Sequence, residues 1–314
     1  MRYILVTGGA GFIGSYLAER LIMDKENYVV IADNLSTGNP RNLPHTDTDN
    51  WTFIKINVNN YKDIAEVMHS FRFDYVFHYA ALVGVKRTQD NPVRVLDDIH
   101  GIEHILNLAK NSKVRRVFFS SSSEVYGEPV ELPQNEETTP LNSRIPYAVV
   151  KNVGESFLKS FYKEYGLEYT IFRFFNTYGP RQSKDFVMSK FIASALKNKD
   201  IGIYGDGSQK RTFCFVEDNV EACLAAAYSD LFVNDVVNIG TDYEISILDL
   251  AKLIINLTKS ESKIVFLPPL KEGDMTRRYP DVSKMRFLLQ RDLVPIEVGV
   301  KKVLNDIHFI TNIL

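Results

Sequence analysis

The stretch Thr7-Gly8-Gly9-Ala10-Gly11-Phe12-Ile13-Gly14 decides the fold. It follows an apolar run, Tyr3 to Val6, that reads as a buried strand. It opens a segment, Phe12 to Met23, whose apolar residues recur at helical spacing. Strand, glycine turn and helix in that order make the context of a dinucleotide-binding turn. Gly8 permits the tight turn, Gly11 lets backbone N–H groups approach a pyrophosphate, and Gly14 lets the helix pack close to the sheet. The helix N-terminus then offers unpaired N–H donors and the positive end of its dipole to phosphate. Tight turns also use glycine for purely structural reasons, so the remaining residues must carry the reading.

Beyond the helix, Tyr28-Val-Val-Ile-Ala-Asp33 reads as a second buried strand ending in an acid. Asp33 lies nineteen residues past Gly14, close to the ~20 expected of the carboxylate that bonds an adenosine ribose. A carboxylate there accepts from both ribose hydroxyls and repels a 2′-phosphate. The residues that follow, Asn34, Leu35, Ser36, Thr37 and Gly38, include no arginine. The pattern favours NAD over NADP; the plainer alternative is a solvated acid closing a strand. Trp51 to Ile56 and Asp74 to Tyr79 read as the next strands. The first runs into Asn57 and Val58. The second runs into Ala80, Ala81 and Val83, where small residues let a cofactor lie against the backbone. Pro92 to Lys110 reads as one helix. His100 and His104 are a turn apart on it, a spacing that can bind metal, but no third ligand is in view and no metal is expected.

The fifth strand, Arg115 to Ser121, ends in Ser120-Ser-Ser-Ser-Glu-Val-Tyr-Gly127. Ligands in open α/β sheets sit beyond the carboxyl ends of the strands, so these hydroxyls and Glu124 stand where chemistry is expected. A serine-rich turn is the structural alternative. Pro146-Tyr147-Ala-Val-Val-Lys151 opens a helix and places Tyr147 and Lys151 on one face. An ammonium beside a phenol is expected to pull the tyrosine below its reference ~10, making Tyr147 a general base. A lone Y-x-x-x-K is common by chance; here it follows a polar strand end in a dinucleotide-binding chain. Alternating strands and helices give a parallel, doubly wound α/β sheet. The pattern loosens after Gly179, which suggests a smaller portion assembled from two pieces of chain.

The 314 residues are 45% hydrophobic and 24% charged, with a net charge of −2. That is an ordinary soluble composition, and no basic field is present to recruit nucleic acid or an anionic membrane. The two cysteines, Cys214 and Cys223, form neither a metal motif nor a disulfide framework, which fits a reducing cytoplasm. No apolar run approaches the ~18 residues of a membrane span. The first residues lead straight into the glycine turn, so no signal peptide is expected.

With these stretches in hand, the chain resembles the extended short-chain dehydrogenase/reductases, specifically the NAD-dependent nucleotide-sugar epimerase/dehydratase group. The matching segments are Thr7 to Gly14, Asp33 to Gly38, His78-Tyr-Ala-Ala81, Ser120 to Gly127, Tyr147 to Lys151, Arg173 to Pro180, Gly205 to Arg211 and Arg277 to Asp281. The resemblance implies a Rossmann domain from residues 1–178 with 231–263, and a nucleotide-sugar-binding portion from 179–230 with 264–314. It implies NAD against Gly8, Gly11, Phe12, Ile13, Gly14, Asp33, Asn34, Ser36, Thr37, Gly38, Asn57, Val58, Ala80, Ala81, Val83, Ser120, Tyr147, Lys151 and Phe174. It further implies that Tyr147 takes the proton as a hydride leaves C4 of a nucleotide-linked sugar. Lys151 would hold the nicotinamide ribose, and Ser122 would hydrogen-bond the reacting oxygen. Asn176, Arg211 and Arg277 or Arg278 would meet the diphosphate, where a guanidinium fork suits phosphate.

Glu124 matches an acid found in the 4,6-dehydratases and the UDP-glucuronate decarboxylases of the group, whereas Ser123 stands where glucose-type dehydratases place an aspartate. Asn57 and Asp98 depart from a frequent aspartate and a frequent asparagine. The step after C4 oxidation stays open on sequence alone: epimerisation, elimination, decarboxylation, or release of the ketone by a 4-dehydrogenase. An NAD-responsive binding protein without turnover is the non-enzymatic alternative. The group commonly dimerises through two long helices per subunit, so a homodimer is expected.

Overall fold

A computed structural model of the chain describes residues 1–269, 277–306 and 309–310. The tail motif from Gly273 to Thr276 lies outside the described residues.

Seven strands form the central sheet: β1 (Arg2–Thr7), β2 (Asn27–Asp33), β3 (Trp51–Lys55), β4 (Tyr75–His78), β5 (Arg116–Ser122), β6 (Glu168–Phe174) and β7 (Asp235–Ile239). Their spatial order is β3-β2-β1-β4-β5-β6-β7, every pair parallel. Parallel strands need helical crossovers, which cover both faces and demand apolar residues on both. β1 shows this directly. Ile4 and Val6 face one apolar cluster with the Phe12–Ile22 helix, while Leu5 faces another with the Tyr61–Ser70, Asp98–Ser112 and Pro146–Tyr165 helices. Strand order reverses between β1 and β4, and a crevice opens beyond their carboxyl ends. Thr7 and His78, the last residues of these two strands, stand opposite each other there.

The smaller portion is built from short pairings. Cys214–Phe215 runs parallel to Thr177–Tyr178, Lys210–Thr212 antiparallel to Glu244–Ser246, and Ile264–Leu267 parallel to Ile201–Tyr204. It shares one apolar cluster with the sheet: Ile192, Phe215, Val220 and Val300 belong with Leu17 and Phe172. The Val216–Tyr228 helix, within the expected second portion, packs on the Phe12–Ile22 helix. The core is therefore continuous across the expected boundaries. The single helix expected from Pro92 to Lys110 is interrupted at Asp97, giving Pro92–Leu96 and Asp98–Ser112. Ser246 caps the Ile247–Thr258 helix, its Oγ accepting from the Asp249 N–H at 2.9 Å.

One ion pair lies deep behind the strand ends. Arg173 on β6 and Glu155 on the Pro146–Tyr165 helix are each 1% exposed. They pair at two points, 2.9 and 2.7 Å. Ser121 Oγ donates to Glu155 at 2.6 Å. Arg173 also donates to the Tyr126 hydroxyl at 2.8 Å, which donates to Asn238 Oδ1 at 2.8 Å. Asn238 Nδ2 donates in turn to the Gln134 carbonyl at 2.9 Å. A buried charge stripped of its partner is far costlier than a buried pair. Arg173→Met should therefore cost about 3–5 kcal/mol in urea unfolding, and the double change Arg173→Met with Glu155→Leu should cost less than the single one. A double variant weaker than either single would contradict this.

Candidate active site

The glycine turn packs without slack. A Cβ on Gly14 would lie 2.3 Å from the Gly8 carbonyl oxygen, and one on Gly8, whose φ is +70°, would lie 2.7 Å from Ala80 N. The constraint at Gly14 is the turn's own carbonyl, not only the sheet. Gly11 N–H donates to the Gly8 carbonyl at 3.0 Å. The Asp33 carboxylate closes the end of β2. It accepts from Ala10 N–H at 3.0 Å and Leu35 N–H at 2.7 Å. Burial raises its pKa, and these two hydrogen bonds oppose the rise. Gly38 closes over it, where a Cβ would meet Asp33 Oδ1 at 2.8 Å.

A cavity of about 1000 Å³ runs from this turn to the ends of β4 and β5. It is lined by Gly8, Gly11, Phe12, Ile13, Gly14, Asp33, Asn34, Ser36, Thr37, Asn57, Val58, Ala80, Ala81, Val83, Ser120 and Phe174, and by Ser122, Glu124, Tyr147, Lys151, Asn176 and Arg278. Gly38, Arg211 and Arg277 stand outside that lining. The fit to a dinucleotide is concrete: a cradle that a Cβ at Gly8 would fill, a helix N-terminus, and a carboxylate nineteen residues on. Asn57 Oδ1 is engaged locally by Asn59 N–H at 3.1 Å.

At the reactive end, Ser122 caps the short Ser123–Tyr126 turn, accepting from Glu124 N–H at 3.2 Å. The expectation that Lys151 lowers the Tyr147 pKa is not met. Burial pushes the phenol well above its ordinary range, and Glu124 and Asp98 add to the rise, while Ser122 and Arg278 oppose it. Lys151 is 3% exposed, with Nζ 3.5 Å from Ser120 Oγ and 5.8 Å from the centre of the Tyr147 ring. Burial pushes its ammonium down to about 8, with the Asp98 carboxylate acting the other way. In a dry pocket desolvation outweighs a neighbouring charge of this kind.

The expected diphosphate cations divide. Arg277 is held by Glu244, with Nε at 2.6 Å from Oε1. Arg211 donates to the Lys210 carbonyl at 2.8 Å, and an isolated bridge pairs Arg277 with Lys210, the residue before Arg211. Arg278 instead enters the cavity and pairs with Glu124 at 2.7 Å. Glu124 Oε2 and Arg278 Nε are both buried without a hydrogen-bond partner. Asn176 Nδ2 donates to the Thr212 carbonyl at 3.0 Å.

Three contributions were not anticipated from sequence. Thr7 Oγ1 accepts from the N–H groups of Tyr79 and Ala80 at 3.2 Å, so its own proton goes to His78 Nδ1, 2.9 Å away. Burial, helped by Lys151, takes His78 down to about 3, so the imidazole is neutral. Arg181 donates to Ser15 Oγ at 3.1 Å and to both Glu19 oxygens at 2.7 and 2.8 Å, tying the segment after β6 to the cofactor helix. The Asp98 carboxylate accepts from Leu82 N–H at 2.7 Å and Asn59 Nδ2 at 3.1 Å. The visible signal for Arg173 and His78 was a charged or polar residue ending or interrupting an apolar strand. Among the described residues no cluster of three or more His, Cys, Asp or Glu is placed to hold a metal, and no helix is long and apolar enough to cross a membrane.

Known proteins resemble this chain over most of its length. The model of the NAD dependent epimerase/dehydratase family matches residues 4–240. The chain is 37% identical to a UDP-N-acetyl-alpha-D-glucosaminuronate decarboxylase of Bacillus cytotoxicus, over 98% of each chain. It superposes on a UDP-glucose 4-epimerase of Thermotoga maritima, solved with UDP-glucose, with a TM-score of 0.91 and 33% identity, over 99% of this chain and 100% of that one. It also superposes on a UDP-glucuronic acid 4-epimerase of Bacillus cereus, solved with UDP-glucuronic acid and NAD, with a TM-score of 0.89 and 28% identity over 99% of each. The chain belongs to the NAD-dependent epimerase/dehydratase family, whose members are NAD-dependent enzymes of nucleotide sugars.

Proposed function

We propose that this enzyme oxidises C4 of a UDP-linked hexuronate and then releases its carboxylate as carbon dioxide. The observation that carries the reading is the Glu124–Arg278 pair on the cavity wall, with one buried polar atom of each partner left without a hydrogen-bond partner. A guanidinium that has spent one edge on Glu124 still presents Nε–H, and a fork of this kind matches a carboxylate. A neutral hexose has no group of that charge to offer it. Similarity to a glucosaminuronate decarboxylase and to a glucuronate 4-epimerase supports the same substrate class.

The residues divide the work. Gly8, Gly11 and the first turn of the Phe12–Ile22 helix hold the NAD pyrophosphate, and Asp33 holds its adenosine ribose. NAD, when bound, supplies the hydride acceptor for C4. Ser122 hydrogen-bonds the C4 oxygen, and Tyr147, once its phenol has given its own proton to solvent, takes the proton of that hydroxyl at Oη. Lys151, beneath the phenol, holds the ribose at the reacting end. The resulting ketone lies β to the C6 carboxylate. The C5–C6 bond then breaks, its electron pair passing into an enolate on C4, while Arg278 orients the departing carboxylate. A proton delivered at C5 restores the ketone, and Glu124 lies close enough to Arg278 to manage it. Tyr147 returns its proton when C4 is reduced again. Arg211, Arg277 and Asn176 are assigned to the diphosphate by the family resemblance.

On this reading residues 1–178 with 231–263 form the NAD-binding unit, and 179–230 with 264–314 the sugar-nucleotide unit, with the Val216–Tyr228 helix shared between them. The outer face of the Pro146–Tyr165 helix carries a groove of about 500 Å³ lined by Val149, Val153, Phe157, Phe161 and Tyr165. By the family resemblance we assign this face to a homodimer contact, in a cytoplasmic protein.

Incubation with NAD and UDP-glucuronate should yield a product lighter by carbon dioxide, without net NADH. A product of unchanged mass would replace decarboxylation by epimerisation. Tyr147→Phe should abolish turnover and leave NAD binding intact in calorimetry; substantial residual turnover would remove Tyr147 as the base. Arg278→Leu should weaken UDP-glucuronate binding by roughly tenfold to a hundredfold, the worth of a charge-assisted hydrogen bond, and leave UDP-glucose binding unchanged. Equal losses for both sugars would refute a carboxylate role.

A further inference from the structure

We infer that the segment Gly84–Asn91 is a strap over the cavity, latched shut by an ion pair between Arg87 and Asp185. What the strap retains rests on the reading that the cofactor is reduced and reoxidised within one turnover.

The strap hangs between two anchors. At one end the Leu82 N–H donates to the Asp98 carboxylate at 2.7 Å. At the other, the Pro92–Leu96 helix packs on the Pro146–Tyr165 helix, with Val95 fully buried. Between them lies the short Val85–Asp90 helix, and none of the described side chains from Val83 to Arg94 is buried. Arg87 Nη1 donates to the Val83 carbonyl at 3.0 Å, Thr88 Oγ1 to the Gly84 carbonyl at 3.1 Å and Asn91 Nδ2 to the Arg87 carbonyl at 3.0 Å, which folds the segment onto itself. A segment with few buried apolar contacts opens at low cost. Gly84 is the pivot. Its φ is +107°, a conformation that favours glycine, and a Cβ there would meet nothing nearer than 3.9 Å.

The facing segment is a fixed post. Arg181 is held by Ser15 and Glu19. Gln182 is buried, donating to the Thr177 carbonyl at 2.7 Å and accepting from Ser189 Oγ at 3.1 Å. Asp185 then stands at the surface, its Oδ2 accepting from Ser183 Oγ at 3.1 Å and pairing with Arg87 Nη2 at 3.3 Å. Gly84 and Arg87 on one side and Ser183 and Phe186 on the other line the cavity shared with Glu124 and Tyr147. The bridge therefore joins two walls of the reacting end.

Exposure sets the strength of the latch. The Arg87 and Asp185 side chains are 34% and 52% exposed, so the link is weak and salt screens it. A weak latch suits a strap that must open for substrate and again for product. Between those events the ketone and the reduced cofactor must stay together, because a ketone lost to water cannot take its hydride back.

The experiment measures the strap and the leak in the full-length protein. Spin labels go on Asp90→Cys in the strap and on Lys190→Cys, an exposed position of the Val187–Leu196 helix; the native Cys214 and Cys223 are buried. Double electron–electron resonance at low salt should give one short distance. Asp185→Asn should add a longer one, raising the ratio of open to closed by roughly two- to fivefold, the worth of a half-exposed pair. Arg87→Asp alone should also open the strap, and Arg87→Asp with Asp185→Arg should close it again. With NAD and UDP-glucuronate, Asp185→Asn should release NADH and the decarboxylated ketone in equal amounts, where the parent releases neither. A distance unchanged by Asp185→Asn overturns the strap, and a reversed pair that stays open overturns the ion pair as its latch. A longer distance without leaked NADH, in an enzyme that turns over, overturns the retention of the ketone. A strap that opens in a protein inactive on every nucleotide sugar leaves the latch standing and defeats the proposed reaction instead.

Discussion

The ion pair between Glu155 and Arg173 ties together the segments that bring chemistry to the cavity. Glu155 lies on the helix that carries Tyr147 and Lys151, and Arg173 on the strand that leads to Asn176. Ser121, bonded to Glu155, has Ser120 and Ser122 as neighbours. Tyr126, bonded to Arg173, closes the turn that carries Glu124, and Asn238 extends the chain of bonds to Gln134 and to the Asp281 carbonyl near Arg278. No single contact here is large in net energy. Their value lies in the penalty for leaving any buried member unpaired. A site that must hold a base, a hydroxyl donor and a carboxylate binder in register needs supports of this kind.

Burial is the second organising force. It raises Tyr147, lowers Lys151 to about 8 and keeps His78 neutral at about 3. These shifts run against the simple picture of an ammonium coaxing a proton from a phenol. The exclusion of water that opposes ionisation also strengthens every charge brought into the cavity. The fixed charges around Tyr147 are arranged in opposition: Glu124 and Asp98 hold the proton on, while Arg278 and the Ser122 hydroxyl draw it off. In the protein without cofactor, Tyr147 therefore waits in the protonated form and must give up that proton before it can act as a base.

Much of the fold was legible because parallel sheets leave a strong signature. β1 and β2 are near-continuous apolar runs, and the glycine turn with Asp33 fixed the first crossover. The Tyr147–Lys151 pairing was legible because a helix places residues four apart on one face. What was not legible depends on contacts between distant segments. Glu155 reads as an unremarkable charge until its helix is laid on the sheet, and the partner of Arg173 is invisible until then. Arg278 and Arg277 are neighbours in sequence yet turn to different partners, Glu124 and Glu244. No spacing rule foretells which of two adjacent arginines enters the cavity. The interruption at Asp97 carries no proline or glycine to announce it.

The most direct test of C4 oxidation is a single turnover with UDP-glucuronate carrying deuterium at C4. The mechanism predicts a primary isotope effect, deuterium on the nicotinamide cofactor during the reaction, and its return to C4 of the product. Turnover with no isotope effect, or with no deuterium reaching the cofactor at any time, would contradict oxidation at C4 and with it the role of Tyr147 as the base.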